Sequence, residues 1–295
     1  MSSSRPGADL AVLMTCHNRR ALTVRCLESL RAQDGDAEIA LFLVDDGSGD
    51  GTAEAVRATW PGAHVIPGNG SLFWNGGMRR AWDTAAKAGS FDHYLWLNDD
   101  VVLEPGAIER LLREAADLAG PDGAIIVAGS TRGPQREEVT YGGQLRPDPR
   151  RPLRLTVVPP ESTPIPVESV SGNIVLVSAA AFTRLGNLSP DFVHIFGDLD
   201  YGLRARAAGI AVYAGSGFFG ECDGPDMSGT SLDPRLGRWE RLRLRWREER
   251  KLHARDWRTF VARHGKAGPL GFVYSLTPWW RILRTPQSPA AQSPT

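Results

Sequence analysis

Two adjacent carboxylates, Asp99 and Asp100, follow an apolar stretch that begins at Tyr94. The stretch, YLWLNDDVVL, is rich in aromatic and β-branched residues and is closed by Glu104-Pro105-Gly106, so it is typical of a buried strand. A buried carboxylate is costly unless a cation or hydrogen-bond donors meet it, so paired acids here indicate a positive partner. Carboxylates suit Mg²⁺ or Mn²⁺, whose remaining ligands are often substrate phosphates. A solvated turn is the alternative, because turns also favour Asn and Asp.

Polar clusters also follow two earlier predicted strands. Residues 10–15 precede Cys16-His17-Asn18-Arg19, and residues 39–44 precede Asp45-Asp46-Gly47-Ser48. Amphipathic helices are predicted after them, over 21–33 and 52–59. Strands that alternate with helices predict a doubly wound, mostly parallel sheet, in which ligands sit at the carboxyl ends of the strands. We therefore expect these clusters and the acid pair at one edge of the sheet.

A glycine-rich segment, GNGSLFWNGGMRRAWDTAAKAG, leads into another predicted helix at residues 68–89. A helix N-terminus entered through glycines lets backbone N–H groups approach a ligand, and the helix dipole favours an anion. The segment matches neither the Walker loop nor GxGxxG. A glycine-rich turn with Trp74 in the core is the alternative.

A third group of acids lies in GNLSPDFVHIFGDLD, where Asp191, Asp198 and Asp200 stand among aromatic residues. A helix is predicted from Asp198, which places Asp198 and Asp200 in its first turn. Carboxylates are stabilised there by unpaired N–H groups, and this capping role is favoured for Asp200. Asp198 follows the apolar HIFG, where desolvation can give a carboxylate the raised pKa of a general base.

The rest of the chain extends this plan without an evident domain boundary before residue 230. Residues 131–166 are rich in Pro, Gly and Arg and predict a small β-excursion over the sheet. The segment 169–178 predicts a strand with Ser171-Gly172-Asn173 near its start. The formal net charge is zero, which argues against a nucleic-acid binder. Three cysteines without metal-ligand spacing, and no apolar leader or membrane span, predict a cytoplasmic protein.

The carboxyl-terminal part changes character. Residues 235–263 hold eleven Arg or Lys against four Asp or Glu, and the aromatic stretch GPLGFVYSLTPWWRILR follows. A basic helix followed by tryptophans predicts either peripheral contact with an anionic membrane, here the inner face of the plasma membrane, or a solvated helix packed on the domain. Residues 285–295 are predicted to be a disordered tail.

The motif order resembles the family 2 glycosyltransferases, inverting enzymes of the GT-A fold, and in particular their bacterial rhamnosyltransferase-like members. The resemblance spans about residues 10–230 and rests on TCHNR, DDGSGDGT, NGGMRR, NDD and GDLDY. It implies a GT-A domain over 8–230, a Rossmann-like, mostly parallel sheet flanked by helices, with a basic, aromatic helical extension over 231–284. Gly197 stands where the family usually has glutamate, and Gly220-Glu221-Cys222 stands where a histidine is often found.

The resemblance also implies roles for individual residues. Asp198 would be the catalytic base and Asp100 the direct ligand of Mg²⁺ or Mn²⁺. Asp45 would contact the base of the nucleotide, and Asp99 would lie nearer the ribose. The implied nucleotide-sugar site comprises Thr15, Asn18, Arg19, Asp45, Asp46, Asn75, Gly76, Gly77, Arg80 and Asp99. The implied acceptor side comprises Asn173, His194 and Asp200.

These roles predict a metal-dependent transfer of sugar from a nucleoside diphosphate, UDP or dTDP, to an acceptor hydroxyl. The acceptor would be a glycan, a glycolipid or a natural product, in cell-surface polysaccharide or glycolipid synthesis. Two other functions remain open at this point. One is a sugar nucleotidyltransferase, which shares a Rossmann-like sheet and a carboxylate-bound metal but normally has a Gly- and Lys-rich signature after its first strand. The other is a non-catalytic protein whose basic end binds lipid or nucleic acid.

Overall fold

The computed structural model describes residues 9–134, 138–148, 150–225, 227–247, 254–265 and 269–284, so the predicted tail over 285–295 lies outside the described residues. The strands are β1 (Asp9–Cys16), β2 (Glu38–Asp45), β3 (His64–Pro67), β4 (His93–Leu97), β5 (Val102–Leu103), β6 (Ile125–Arg132), β7 (Val139–Tyr141), β8 (Gly143–Leu145), β9 (Thr156–Val157), β10 (Ile165–Pro166), β11 (Ser169–Val170), β12 (Ile174–Ser178) and β13 (Ala211–Glu221). The helices are α1 (Arg20–Arg31), α2 (Thr52–Thr59), α3 (Phe73–Ala88), α4 (Ala107–Leu118), α5 (Ala179–Leu185), α6 (Gly197–Ala207), α7 (Arg238–Arg247), α8 (Ala254–His264), α9 (Pro269–Ser275) and α10 (Thr277–Arg284).

The large sheet runs in the order β10-β13-β6-β12-β4-β1-β2-β3. Strands β4, β1, β2 and β3 pair in parallel, as expected for strands joined by crossover helices. Strand β12 enters antiparallel between β4 and β6, and β6 pairs in parallel with β13. Within the predicted β-excursion, β8 and β9 form a second sheet with β11, in the order β11-β8-β9, whereas β7 pairs with β6 and β10 pairs with β13 in the large sheet. The predicted class, a mostly parallel sheet flanked by helices with a β-excursion and helical extension, is therefore confirmed.

Two predicted strands are interrupted, and both interruptions lie at one edge. The stretch 94–103 ends its first strand at Leu97 and turns through Asn98–Val101, where the Val101 N–H donates to the Asn98 carbonyl. The stretch 169–178 breaks at 171–173 between β11 and β12. The Asn98 N–H donates to the Asn173 carbonyl at 2.9 Å, which joins the two breaks. The acids after Asn98 therefore lie in a turn beside the start of β12.

The core lies on both faces of the sheet. On one face, alternate β1 residues pack with apolar residues of α1, α2 and α4. On the other, the intervening β1 residues pack with α3, α5 and α6. Trp82, Trp96 and Tyr201 form a fully buried aromatic cluster there, with ring centroids 5.1 to 5.5 Å apart. This packing fixes α3 and α6 beside the edge that carries the polar clusters.

The carboxyl-terminal helices are joined to the domain through α8. Phe260 of α8 is buried in a small cluster with Phe192 and Leu203. The burial pattern of helix α7 is the opposite of that in an ordinary surface helix, where charged side chains are exposed and aromatic side chains are buried. Its Arg241 and Arg245 are buried, whereas Trp239 and Trp246 are each 82% exposed. No helix within the described ranges is both long enough and apolar enough to span a bilayer.

Candidate active site

A cleft of about 750 Å³ opens at the carboxyl edge of the parallel strands. The sheet register explains why it forms there, because Cys16 pairs with Asp45 at the ends of β1 and β2, and Leu97 pairs with Ile174 where β4 ends and β12 begins. The predicted site residues that line the cleft are Thr15, Arg19, Asp46, Asp99, Asp100, Asn173, His194 and Asp198. Acids from separate segments therefore share one crevice.

Arg19 is the positive partner that the acid pair requires. Its Nη1 donates to Asp99 Oδ1 at 2.8 Å and to Asp100 Oδ2 at 2.9 Å. Burial and the Asp100 charge raise the pKa of Asp99 to about 6, although Arg19 acts in the opposite direction. Burial alone would lower the pKa of Arg19, but the two carboxylates outweigh it and raise the pKa above its ordinary value. One wall of the cleft therefore carries the Arg19 guanidinium in direct contact with two carboxyl groups, those of Asp99 and Asp100.

The acid pair fits an oxygen-preferring divalent ion. Asp100 is partly exposed to the cleft, and its Oδ1 accepts from the Cys222 thiol at 3.5 Å. In the part of the chain that the structure describes, no group of three or more His, Cys, Asp or Glu side chains could hold a metal ion. An ion held by one or two carboxylates, with phosphate oxygens and water as its other ligands, matches this donor set.

Asp198 lines the other wall of the cleft, in the first turn of α6. Its Oδ2 accepts from the Gly172 N–H at 2.9 Å, and its Oδ1 accepts from the Leu199 N–H at 2.8 Å. Burial raises the pKa of Asp198, and these two hydrogen bonds offset only part of that effect. A carboxylate held in one orientation with a raised pKa has the properties of a general base. A β-carbon at Gly172 would lie 2.3 Å from Trp74, so only glycine allows this approach.

Tyr141 of β7 also lines the cleft. Burial raises its pKa, and the electrostatic effects of Cys222, Asp100 and Asp198 raise it further. Sequence reasoning missed this residue because β7 was predicted only as part of an extended excursion. It also missed two hydrogen bonds that shape the cleft. Trp74 Nε1 donates to Asn98 Oδ1 at 2.7 Å, and Gln144 Nε2 donates to Ser171 Oγ at 2.8 Å.

The DDGS motif organises loops next to the cleft. Asp45 is buried and outside the cleft lining, and its Oδ1 accepts from the Ser48 N–H at 2.9 Å. Asp46 accepts from four backbone N–H groups, those of residues 69, 70, 72 and 73. Asn18 is exposed, and its Oδ1 accepts from the Gly49 N–H at 2.8 Å. These polar side chains therefore fix the loops next to the cleft through hydrogen bonds with backbone N–H groups.

The residues predicted from the NGGMRR element lie outside the cleft lining. Asn75 is buried, and its Nδ2 donates to the carbonyls of Ser189 and Phe192. Gly77 packs on β1, since a β-carbon there would lie 2.1 Å from Thr15 Oγ1. Gly76 faces Leu72 of its own helix start, and Arg80 is exposed. The element is helical from Phe73 onward, so most of these side chains are directed to packing and solvent.

Asp200 also lies outside the cleft. It is fully buried and accepts from Arg204, Arg263 and His264. Burial alone would raise the pKa of Asp200, but the hydrogen bonds from His264 and the two arginines lower it below its ordinary value. The structure thus gives Asp200 a structural role between α6 and α8, whereas Asn173 and His194 of the predicted acceptor side do line the cleft.

Two solved structures share this architecture. The mannosyltransferase PcManGT of Pyrobaculum calidifontis, solved in complex with GDP-Man and Mn²⁺, aligns with 94% of this chain and 70% of its own, with a TM-score of 0.55 and 16% identity. S. aureus TarS aligns with 95% of this chain and 44% of its own, with a TM-score of 0.52 and 12% identity. At these identities the likeness shows the fold alone, which is the GT-A fold.

Sequence comparison defines the family. The model of Glycosyl transferase family 2 matches residues 11–180, more than half of the chain, so the chain belongs to this family. An N-acetylglucosaminyl-diphospho-decaprenol L-rhamnosyltransferase of Mycobacterium tuberculosis is 27% identical over 202 residues, which cover 60% of this chain and 64% of the relative. An N-acetylglucosaminyltransferase of Mesorhizobium japonicum is 29% identical over 124 residues, which cover 40% of this chain and 28% of the relative. The match therefore spans less than two thirds of either relative.

Proposed function

We propose that the chain is an inverting, metal-dependent glycosyltransferase that moves a sugar from a UDP- or dTDP-linked donor to an acceptor hydroxyl. The observation that carries the proposal is the single cleft with the acid pair and Arg19 on one wall and Asp198 on the other. Family membership supports the reaction class. The names of the relatives support a glycan or glycolipid acceptor in cell-surface glycan synthesis, and a natural-product acceptor is the other candidate.

On the donor side, Asp100 would hold Mg²⁺ or Mn²⁺, with Asp99 beside it toward the ribose. When bound, such an ion offsets the negative charge that develops on the leaving diphosphate. Arg19 adds a second positive charge at the same wall, within hydrogen-bond distance of both acids. Arg19 follows β1 and the two acids follow β4, and the parallel pairing of these strands supports a fixed geometry for the three charges.

On the acceptor side, Asp198 would take the proton of the attacking hydroxyl. The N–H groups of Gly172 and Leu199 fix its carboxylate orientation before the acceptor arrives. The hydroxyl attacks the anomeric carbon from the face opposite the diphosphate, so one displacement inverts the configuration. The reaction needs no enzyme nucleophile, and no covalent sugar–enzyme intermediate forms.

Product analysis tests this function against its alternatives. The full chain is incubated with a panel of UDP- and dTDP-sugars, dTDP-rhamnose first, with Mn²⁺ and lipid-linked or soluble glycan acceptors. Release of nucleoside diphosphate together with glycosylated acceptor is the expected result. Release of pyrophosphate would identify a sugar nucleotidyltransferase instead. Absence of turnover and of nucleotide binding across the panel would support a non-catalytic binding protein.

We also propose that the carboxyl-terminal helices contact an anionic membrane surface, at the inner face of the plasma membrane. Helices α7 and α10 pack together, with the rings of Trp246 and Trp279 6.3 Å apart. Helix α7 directs Trp239 and Trp246 to solvent, and α10 exposes Trp280 and Leu283. Exposed tryptophans on arginine-rich helices match the amphipathic surfaces that bind anionic bilayers. No nucleic-acid partner is proposed.

A flotation assay tests the membrane contact without truncating the chain, because α8 packs into the domain. The wild type is expected to float with vesicles that contain phosphatidylserine or phosphatidylglycerol and not with neutral vesicles. The double variant Trp239→Ser/Trp246→Ser should lose flotation while its melting temperature changes little, since both side chains are exposed. Equal flotation of the variant and the wild type would refute this surface as the contact.

A further inference from the structure

Helix α8 lies outside the segment matched by the family model, and its Asp256 contacts the loop that carries His194 of the cleft lining. Asp256 is fully buried. Its carboxylate accepts from three successive backbone N–H groups, those of Val193, His194 and Ile195, at 3.0 to 3.2 Å. Three N–H groups directed at one carboxylate form an anion-binding backbone arrangement. Asp256 therefore fixes the course of this loop from a position outside the cleft lining.

The same helix supports the residue that follows. Phe196 has φ +69°, a left-handed conformation that a bulky residue rarely adopts. Its ring stacks on Phe260 of α8, with centroids 4.9 Å apart, and lies 5.5 Å from Trp257. Since α6 begins at Gly197, this conformation sets the direction in which the helix leaves the loop. Asp198 lies two residues further on.

Two residues at the other end of α8, Arg263 and His264, make further contacts with this region. Arg263 donates to Ser189 Oγ at 2.9 Å and pairs with Asp191. His264 lies 2.8 Å from a carboxylate oxygen of Asp200 in α6. Helix α8 therefore contacts the loop at its start, at its middle and at the helix that carries Asp198. It has no residue in the cleft lining, so any effect on the reaction must pass through this loop.

We propose that α8 is a positioning element for acceptor transfer, and that Asp256 is the positioning residue that fixes residues 193–196 and, through them, His194 and Asp198. This inference rests on the proposed glycosyl transfer. The donor wall has its own supports in β1 and β4, so loss of Asp256 should weaken use of the acceptor while leaving nucleotide binding unchanged. A displacement of about 1 Å at a reacting group can cost about 100-fold in rate.

The test compares Asp256→Ala and Asp256→Asn with Arg258→Ala, a control at an exposed position of the same helix. Hydrogen exchange should show faster exchange for residues 193–196 in Asp256→Ala, by about tenfold or more, with less change in Asp256→Asn and none in Arg258→Ala. Titration of nucleoside diphosphate with Mn²⁺ should give the same affinity in all four proteins. Transfer should lose about 10- to 100-fold in kcat/KM for the acceptor, with donor KM unchanged.

Three outcomes would overturn the proposal. Unchanged exchange of 193–196 in Asp256→Ala would show that the carboxylate does not hold the loop. Faster exchange with unaltered acceptor kinetics would show a purely structural role. Equal losses of donor and acceptor affinity would show that the substitution disturbs the whole cleft and not the acceptor loop alone. If Asp256→Ala does not fold, the same measurements on Asp256→Asn provide the test. If the wild type transfers no sugar but Asp256→Ala still exchanges residues 193–196 faster than the wild type, the proposed function is refuted and the loop contact stands.

Discussion

Replacing Asp200 by Asn tests whether this acid belongs to the acceptor site or to the framework. Removing one partner of a fully buried ion pair costs about 3 to 5 kcal/mol. Here the cations are only partly buried, because the Arg204 and Arg263 side chains are 28% and 32% exposed. Arg204 also donates to two backbone carbonyls, and Arg263 keeps Ser189 and Asp191. Because both arginines are partly solvated and keep other partners, we expect Asp200→Asn to lower the free energy of unfolding by about 2 to 3 kcal/mol at pH 7.

Urea unfolding followed by tryptophan fluorescence measures this loss. For a urea m-value of about 2 to 3 kcal/mol/M, the midpoint should fall by about 1 M. The pKa of Asp200 is lower in the folded chain than its ordinary value of 3.8. Its contribution is therefore present above pH 3.8 and is lost as the pH falls toward the folded value. The difference between wild type and variant should be constant from pH 7 to pH 5 and shrink below about pH 4.

Asp191→Asn is the matched control, since Asp191 pairs with the same Arg263 but its side chain is 52% exposed. An exposed ion pair contributes about 0 to 1 kcal/mol, so this variant should unfold close to the wild type. Equal stability of the two variants would refute the argument from burial. If Asp200→Asn kept full stability and raised the acceptor KM, Asp200 would contact the acceptor as the family resemblance implies.

Three further predictions concern the cleft. Asp198→Asn should lower kcat by about 100- to 10,000-fold with nucleotide affinity nearly unchanged, because only the proton acceptor is lost; unchanged turnover would exclude Asp198 as the base. Asp100→Ala should abolish the Mn²⁺-dependent part of nucleotide binding in a thermal-shift titration, and a variant that keeps this dependence would refute the metal assignment. In EDTA, the stability of Asp99→Asn relative to the wild type should rise by about 1 kcal/mol between pH 5 and pH 8. The reason is that the pKa of Asp99 is raised to about 6 in the folded chain, so the folded wild type becomes less stable as this carboxyl ionises. A pH-independent difference would contradict that pKa.

The periodicity of apolar residues predicted most of the architecture. The helix predicted over 52–59 is α2 (Thr52–Thr59), and the predicted strands at 10–15 and 39–44 lie inside β1 and β2. Such segments are determined locally, since one buried face or one buried strand imposes its own spacing. Parallel pairing also predicted that the polar loops meet at one edge of the sheet. Eight predicted site residues line the same cleft at that edge.

The remaining features depend on contacts between distant segments. The break after Leu97 involves the Asn173 carbonyl, and Tyr141 reaches the cleft because β7 pairs antiparallel with the end of β6. The role of Asp256 depends on backbone N–H groups about 60 residues earlier in the chain. Helix α7 was predicted as a basic helix, but the sequence did not show which of its side chains are buried. In the structure Trp239 is exposed and Arg241 is buried. A pattern identifies the two faces of a helix without identifying which face is buried.

Gly197, where the family usually has glutamate, is explained by its neighbour. A β-carbon at Gly197 would lie 1.9 Å from Asn75 Oδ1, and Asn75 Nδ2 bonds the carbonyls of Ser189 and Phe192. Asn75 therefore holds residues 189–192 from within α3, next to the residues 193–195 that Asp256 contacts, and it needs the space that a side chain at 197 would occupy. Gly197 and Asn75 therefore pack as a pair. Asn75 belongs to the NGGMRR element, for which the family resemblance implied contact with the nucleotide. The departure from the family pattern at Gly197 is therefore explained by its packing against Asn75, and the next residue, Asp198, lies in the cleft lining.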